Sequence, residues 1–177
     1  MKRLFFALWP DESTRQACAE VVKPLKRAGG KRVLPENLHV TLVFLGSVDE
    51  ATEAALISAA NAIVVPKLTI TFDRLDFWRK PHILCLTGRT EGSELKTLVV
   101  ELNAVSQVLG IETDTRPYTP HVTLIRKIKD AKPITFEPIV WQSDSFCLVE
   151  SHTLPEGVEY RVIKEWGNNA KSRFSTF

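Results

Sequence analysis

The word His-Val-Thr-Leu stands twice in this chain of 177 residues, at 39–42 and at 121–124. Chance would repeat a given four-residue word in roughly one sequence in a thousand of this length. In a strand, residues two apart share a face at a spacing of about 6.6 Å, so His39 stands beside Thr41 and His121 beside Thr123. An imidazole titrates near neutrality and serves equally as base or acid. A threonine hydroxyl donates to an oxygen on which negative charge builds. If the two copies face each other across a groove, two imidazoles and two hydroxyls converge on a space the size of a phosphate. One ring can then take a proton from water while the other gives one to a departing ribose oxygen. No metal is required where the leaving group belongs to a strained cyclic phosphate. Arg126, five residues beyond His121, adds a permanent cation for the phosphate or a planar surface for a base.

A single His-x-Thr in a strand is more often structural than catalytic, and it is the second copy that reverses those odds. The other histidines, His82 and His152, read as structural. In His152-Thr153-Leu154 the spacer is missing, so ring and hydroxyl point to opposite faces. Gly30-Lys31-Arg32 lacks the Ser or Thr and the upstream glycine of a phosphate loop, and neither Gly-x-Ser-x-Gly nor His-Glu-x-x-His occurs. A metal site built on His39 and His121 lacks an Asp or Glu within either motif; no metal and no cofactor are expected.

The elements that must position these residues follow from pattern. Leu4 to Trp9 reads as a first strand, and Asp11 as the cap of a helix with Ala17, Val21 and Leu25 on one face, ending near Ala28-Gly29-Gly30. Leu38 to Leu45 reads as a buried strand, and Ser47-Val48-Asp49-Glu50 as a capping box for a helix to about Ile63. Lys67 to Trp78 and His82 to Gly88 look like an antiparallel pair. Leu95, Leu98, Val99, Leu102, Val105 and Leu109 mark one buried helix face, closed by Gly110. Strands are expected at Thr119 to Ile128, Phe136 to Trp141, Ser145 to Leu154 and Tyr160 to Trp166. The class is α+β with mainly antiparallel sheets. The repeated word implies two structurally similar halves within a single domain over residues 1–177.

The bulk properties exclude more than they identify. Hydrophobic residues are 44% and charged residues 25%, the balance of a globular protein rather than of a disordered or fibrous one. No apolar run approaches the roughly 20 residues of a membrane-spanning helix, and the apolar start breaks at Pro10 before it could serve as a secretory signal. Three cysteines without a Cys-x-x-Cys pair argue against a disulfide framework and make the cytoplasm the default location. A net charge of +2 does not by itself predict nucleic-acid binding. Basic residues nonetheless bunch at Lys26-Arg27, Lys31-Arg32 and Arg126 to Lys129.

Paired His-x-Thr-x motifs of this spacing resemble the two-histidine phosphoesterases, in particular the bacterial RNA 2′,3′-cyclic phosphodiesterases formerly called 2′-5′ RNA ligases. The resemblance is carried by Arg3 to Leu8 with Pro10, Asn37 to Leu42 with Phe44-Leu45-Gly46, Arg116 to Leu124 with Arg126, and the closing Tyr160 and Trp166. It implies a bilobal α+β fold, two antiparallel sheets facing a central groove with helices outside. It further implies hydrolysis of RNA 2′,3′-cyclic phosphate ends to 2′-phosphomonoesters, His39 donating the proton to the leaving oxygen and His121 activating water. Ile125 is bulkier than the small residue expected before the arginine. Phe5, Phe44 and Tyr118 are candidates to stack a terminal base. The expected partner is RNA with a cyclic phosphate end, or a cyclic nucleotide, acting on a monomer away from any membrane. Ligation, the reverse reaction, and a non-catalytic RNA-binding module are the rival readings. The module's expected mark, loss of a motif histidine or threonine, is absent.

Overall fold

The computed structural model describes residues 1–25, 29–130, 133–155 and 157–167; the Lys26-Arg27 pair and the expected helix end at Ala28 lie outside them. The strands are β1 (Lys2–Leu8), β2 (Lys31–Arg32), β3 (Val40–Val48), β4 (Leu68–Trp78), β5 (Ile83–Thr90), β6 (His121–Arg126), β7 (Ile139–Ser143), β8 (Ser145–Leu154) and β9 (Gly157–Gly167). The helices are α1 (Glu12–Val21), α2 (Glu50–Ala60) and α3 (Glu94–Val108). All pairings are antiparallel, in the order β7-β4-β5-β6-β3-β1-β8-β9, with β2 added beside β6. The α+β class is as expected. The two expected sheets turn out to be continuous, joined between β3 and β6 through the single register pair Val40↔Val122.

β1 is buried on both faces, which is why Leu4 to Trp9 reads as an unbroken apolar run. Leu4, Phe6 and Leu8 enter the main core with Phe146, Trp166 and Leu56. Phe5 and Ala7 face the other way and form a small separate cluster with Cys147 and Val149, backed by Trp9, Tyr160 and Val162. The larger core carries most of the hydrophobic stabilisation; the smaller one lies on the opposite face of the sheet, against His39.

Several element ends move for identifiable reasons. Asp11 caps α1 by accepting from Thr14 N at 2.8 Å, but α1 stops at Val21 and passes into a 3₁₀ turn over Lys23–Leu25, because Pro24 has no N–H to continue the ladder. Ser47 does not cap α2. It is paired with Arg3 inside the sheet, and Asp49 takes the role, accepting from Thr52 N at 2.8 Å. The strand expected over Thr119 to Ile128 shrinks to His121–Arg126: Pro120 removes a donor at one end and Lys127 turns left-handed at φ 56° at the other. Likewise Pro138 delays β7 to Ile139. Gly110 closes α3 at φ 77°, its N–H bonding Gln107 O at 2.9 Å.

Candidate active site

Both histidines are held by the same local device. The Nδ1 of His39 meets the carbonyl of Asn37 at 2.7 Å, and the Nδ1 of His121 meets that of Thr119 at 3.0 Å. A carbonyl only accepts, so each ring donates from Nδ1, and the neutral tautomer leaves Nε2 as an acceptor. In His39 that Nε2 lies 3.1 Å from Thr41 Oγ1, so the hydroxyl donates to it. Because β3 and β6 run antiparallel through Val40↔Val122, the register sets each histidine opposite the other motif's threonine and the two histidines diagonal to one another.

A second shared device follows the motif. Along β3 the register passes from Ala7↔Thr41 to Phe6↔Val43, and along β6 from Cys85↔Thr123 to Leu84↔Ile125. In both strands the motif leucine, Leu42 or Leu124, is the extra residue of a β-bulge. The bulge flips the alternation. Val43 and Ile125 go to the core, where they are 4% and 0% exposed, and Phe44 and Arg126 turn onto the face of the threonines. Phe44 and Arg126 thus hold equivalent positions. The first half still has a guanidinium there, supplied by Arg3 of β1, which sits 5.0 Å from the centre of the Phe44 ring.

The surroundings of the two rings differ. Trp9 stacks parallel to His39 at 5.5 Å, Phe5 lies 5.0 Å from it and Tyr160 meets it edge-on at 4.9 Å. Burial pushes the His39 pKa down to about 4, opposed by its bond to Asn37 and assisted by the positive charges of Arg126 and His121. His121 touches Trp78 at 4.6 Å. Its pKa is lowered as well, by burial first and also by Arg126, against the bond to Thr119. Its cross-strand partner Thr87 donates to Asp76 Oδ2. Among the described residues no three His, Cys, Asp or Glu side chains gather as a metal would require, and no helix is long and apolar enough to cross a membrane.

Of the residues named from sequence, His39, Thr41, His121, Thr123, Arg126 and Phe44 come to one face around the β3–β6 junction. Two of the proposed base-stacking residues do not offer a face. Phe5 is 3% exposed beneath His39, a floor rather than a platform. Tyr118 packs against the main core and donates its hydroxyl to Thr41 O at 3.0 Å, tying the approach to His121 onto β3. His152 pairs with the Glu150 carboxylate at 3.0 Å, in keeping with a structural role. The sequence assigns no site role to Trp9, Trp78 or Arg3, although Arg3 opens one of the segments that carry the family resemblance. Trp9 had a signal, since residues 5, 7 and 9 share a face of the first strand. Trp78 and Arg3 are brought in by pairing across strands and left no local mark.

The profile of the LigT like phosphoesterase family matches residues 8–85, which contain the first motif. An RNA 2′,3′-cyclic phosphodiesterase of Escherichia coli is 30% identical over 168 residues, covering 93% of this chain and 96% of the relative. One of Bacillus subtilis is 35% identical over 146 residues, 75% of this chain and 78% of the relative. The crystal structure of E. coli LigT complexed with 3′-AMP superposes with a TM-score of 0.84 at 29% identity, covering 94% of this chain and 97% of that one. With the likeness running through both halves of the sheet, the chain belongs to the two-histidine, LigT-like phosphoesterases and is a phosphodiesterase.

Proposed function

We propose that this phosphodiesterase opens 2′,3′-cyclic phosphates at RNA ends to 2′-phosphomonoesters, with His39 and His121 as a metal-independent acid–base pair. The observation that carries the reading is the shared Nδ1 anchoring, which aims two Nε2 atoms of the same tautomer into one groove; the curated relatives named for this activity support the substrate class. His121 Nε2 takes a proton from water as the water oxygen bonds to phosphorus. The bond from phosphorus to O3′ breaks, and protonated His39 Nε2 gives its proton to O3′. Thr41 and Thr123 donate to the non-bridging oxygens, and Arg126 neutralises their charge. The described halves act as one domain of two pseudo-symmetric lobes, a reading supported by the mirrored strand order on either side of β3 and β6.

His39 is the acid only if substrate supplies the proton's counter-charge. Raising a pKa of about 4 to neutrality takes about 4 kcal/mol. A phosphate anion about 4 Å away supplies about that much at the effective dielectric near a protein surface, and the Trp9 face adds attraction for an imidazolium. His121 has no comparable aromatic cage and stays neutral as the base. The test is incubation with nucleoside 2′,3′-cyclic phosphates in chelator, with the product isomer identified. The 2′-phosphate is expected. A 3′-phosphate, or activity only with added divalent metal, overturns the reading.

A further inference from the structure

The groove has two ends, and they carry opposite electrostatic character. At the end where β3 finishes, Lys2 is neutralised by Glu53 at 2.9 Å, Arg3 lies over Phe44, and Asp49 and Glu50 are exposed. At the other end one cross-strand row runs Lys31↔Arg126↔Ile83↔Trp78. Beyond it lie the exposed turn containing Arg79 and Lys80 and the segment containing Lys127 and Lys129. Asp130 is the one carboxylate within 79–82 and 126–130. Arg79, Lys80, Arg126, Lys127 and Lys129 form no ion pair among the described residues. Lys67, Arg74, Lys96 and Lys164 form none either but stand singly along the chain, whereas these five fall within two short segments.

The backbone gives an independent sign. Among the described residues only His82 (φ 63°) and Lys127 (φ 56°) are non-glycine residues with positive φ, a conformation that costs on the order of 1 kcal/mol or more. Both lie at this end and are tied together, Ile128 N donating to His82 O at 3.2 Å. Glycine would satisfy either position without strain. The left-handed turn at Lys127 ends β6 directly after Arg126, and Lys127 and Lys129 beyond it are exposed.

From this we infer that the body of a single-stranded RNA, the nucleotides 5′ of the cyclic phosphate, leaves the groove at the Arg126 end and runs over Arg79, Lys80, Lys127 and Lys129. The proposal rests on the functional reading above and deepens it. Unpaired, exposed cations that extend a phosphate site track a polyanion by charge and not by sequence. A cyclic mononucleotide fills the site without reaching them.

The experiment compares cytidine 2′,3′-cyclic phosphate with an RNA of about eight nucleotides ending in the cyclic phosphate. The proteins are the wild type, a triple variant Arg79→Ser, Lys80→Ser, Lys129→Ser, and a control triple Lys23→Ser, Lys96→Ser, Lys164→Ser with the same net charge. Each phosphate contact to a single strand contributes about 0.7 to the slope of log affinity against log salt. The patch variant should therefore have an oligomer-binding slope shallower by about 2, with affinity about tenfold or more weaker at low salt. Its kcat/KM on the mononucleotide should stay within about threefold. The control triple should bind the oligomer as the wild type does. A wild-type slope in the patch variant, or an equal loss in the control, overturns the inference. If the wild type leaves the mononucleotide intact, it is the functional reading that fails; the oligomer slopes still decide the surface.

Discussion

The strand carrying His39 and the strand carrying His121 share a four-residue word, a backbone acceptor two residues before the histidine and a bulge at the motif leucine. They differ in everything that reaches them from other strands. His39 lies among Phe5, Trp9 and Tyr160, while His121 has Trp78 on one side and the Thr87–Asp76 pair behind it. The repeated word therefore fixes what both rings are, neutral Nδ1–H imidazoles aimed at a common space. Their neighbours decide which ring a bound anion holds protonated, ready to act as the acid.

The comparison breaks most visibly when either ring is removed. His39→Ala and His121→Ala should each lower turnover of a cyclic phosphate by about 10²- to 10⁴-fold with the fold intact by circular dichroism. Because the rings act in one step, the double variant should fall little below the worse single one. Near-normal turnover in either single variant would remove that histidine from the chemistry.

The next effect separates the halves by acid stability. Folding holds His39 at about 4 against an ordinary 6.5, so between those values the unfolded chain binds a proton that the folded one refuses. Its contribution is complete above pH 6.5 and is lost as pH falls toward 4, by about 3 kcal/mol at most. Urea unfolding of wild type and His39→Gln should show the wild type losing the extra amount across that window. The same substitution at His121, whose surroundings are less aromatic, should change the pH slope less. Equal slopes for the two would mean that the aromatic setting does not distinguish the rings.

The smaller effects concern the positions that the bulges align. Thr41→Ala and Thr123→Ala should each cost about 1.5–3 kcal/mol of transition-state stabilisation, the worth of a hydrogen bond to a charged oxygen. Phe44→Ala should cost less than either. Its ring contributes a face and a partner for Arg3, not a donor. A loss at Phe44 as large as at Thr41 would give that ring a place in binding that its location alone does not.

Much of this was legible in the sequence, and the gaps have physical causes. The repeated word, the helix face from Leu95 to Leu109 and the cap at Asp11 are local signals, and local signals are what a sequence displays. The shared face of Phe44 and Arg126 could not be read, because strict alternation puts both on the core side. Only the register against β1 and β5 reveals the bulges. Phe5 was ambiguous for a related reason: an apolar strand buried on both faces does not show which of its residues line the core and which a groove. The cap at Ser47 failed because sheet pairing with Arg3 outcompeted a helix start two residues early.

The claim on which the rest depends is that the two rings carry different protons when substrate binds. Nitrogen-15 NMR of the imidazoles at neutral pH, free and with a non-hydrolysable 2′,3′-cyclic phosphate analogue, reads this directly. Free, both rings should be neutral with the proton on Nδ1. Bound, His39 should carry protons on both nitrogens while His121 keeps Nε2 unprotonated. A bound state in which His39 stays neutral and His121 takes the proton would contradict the assignment of acid and base.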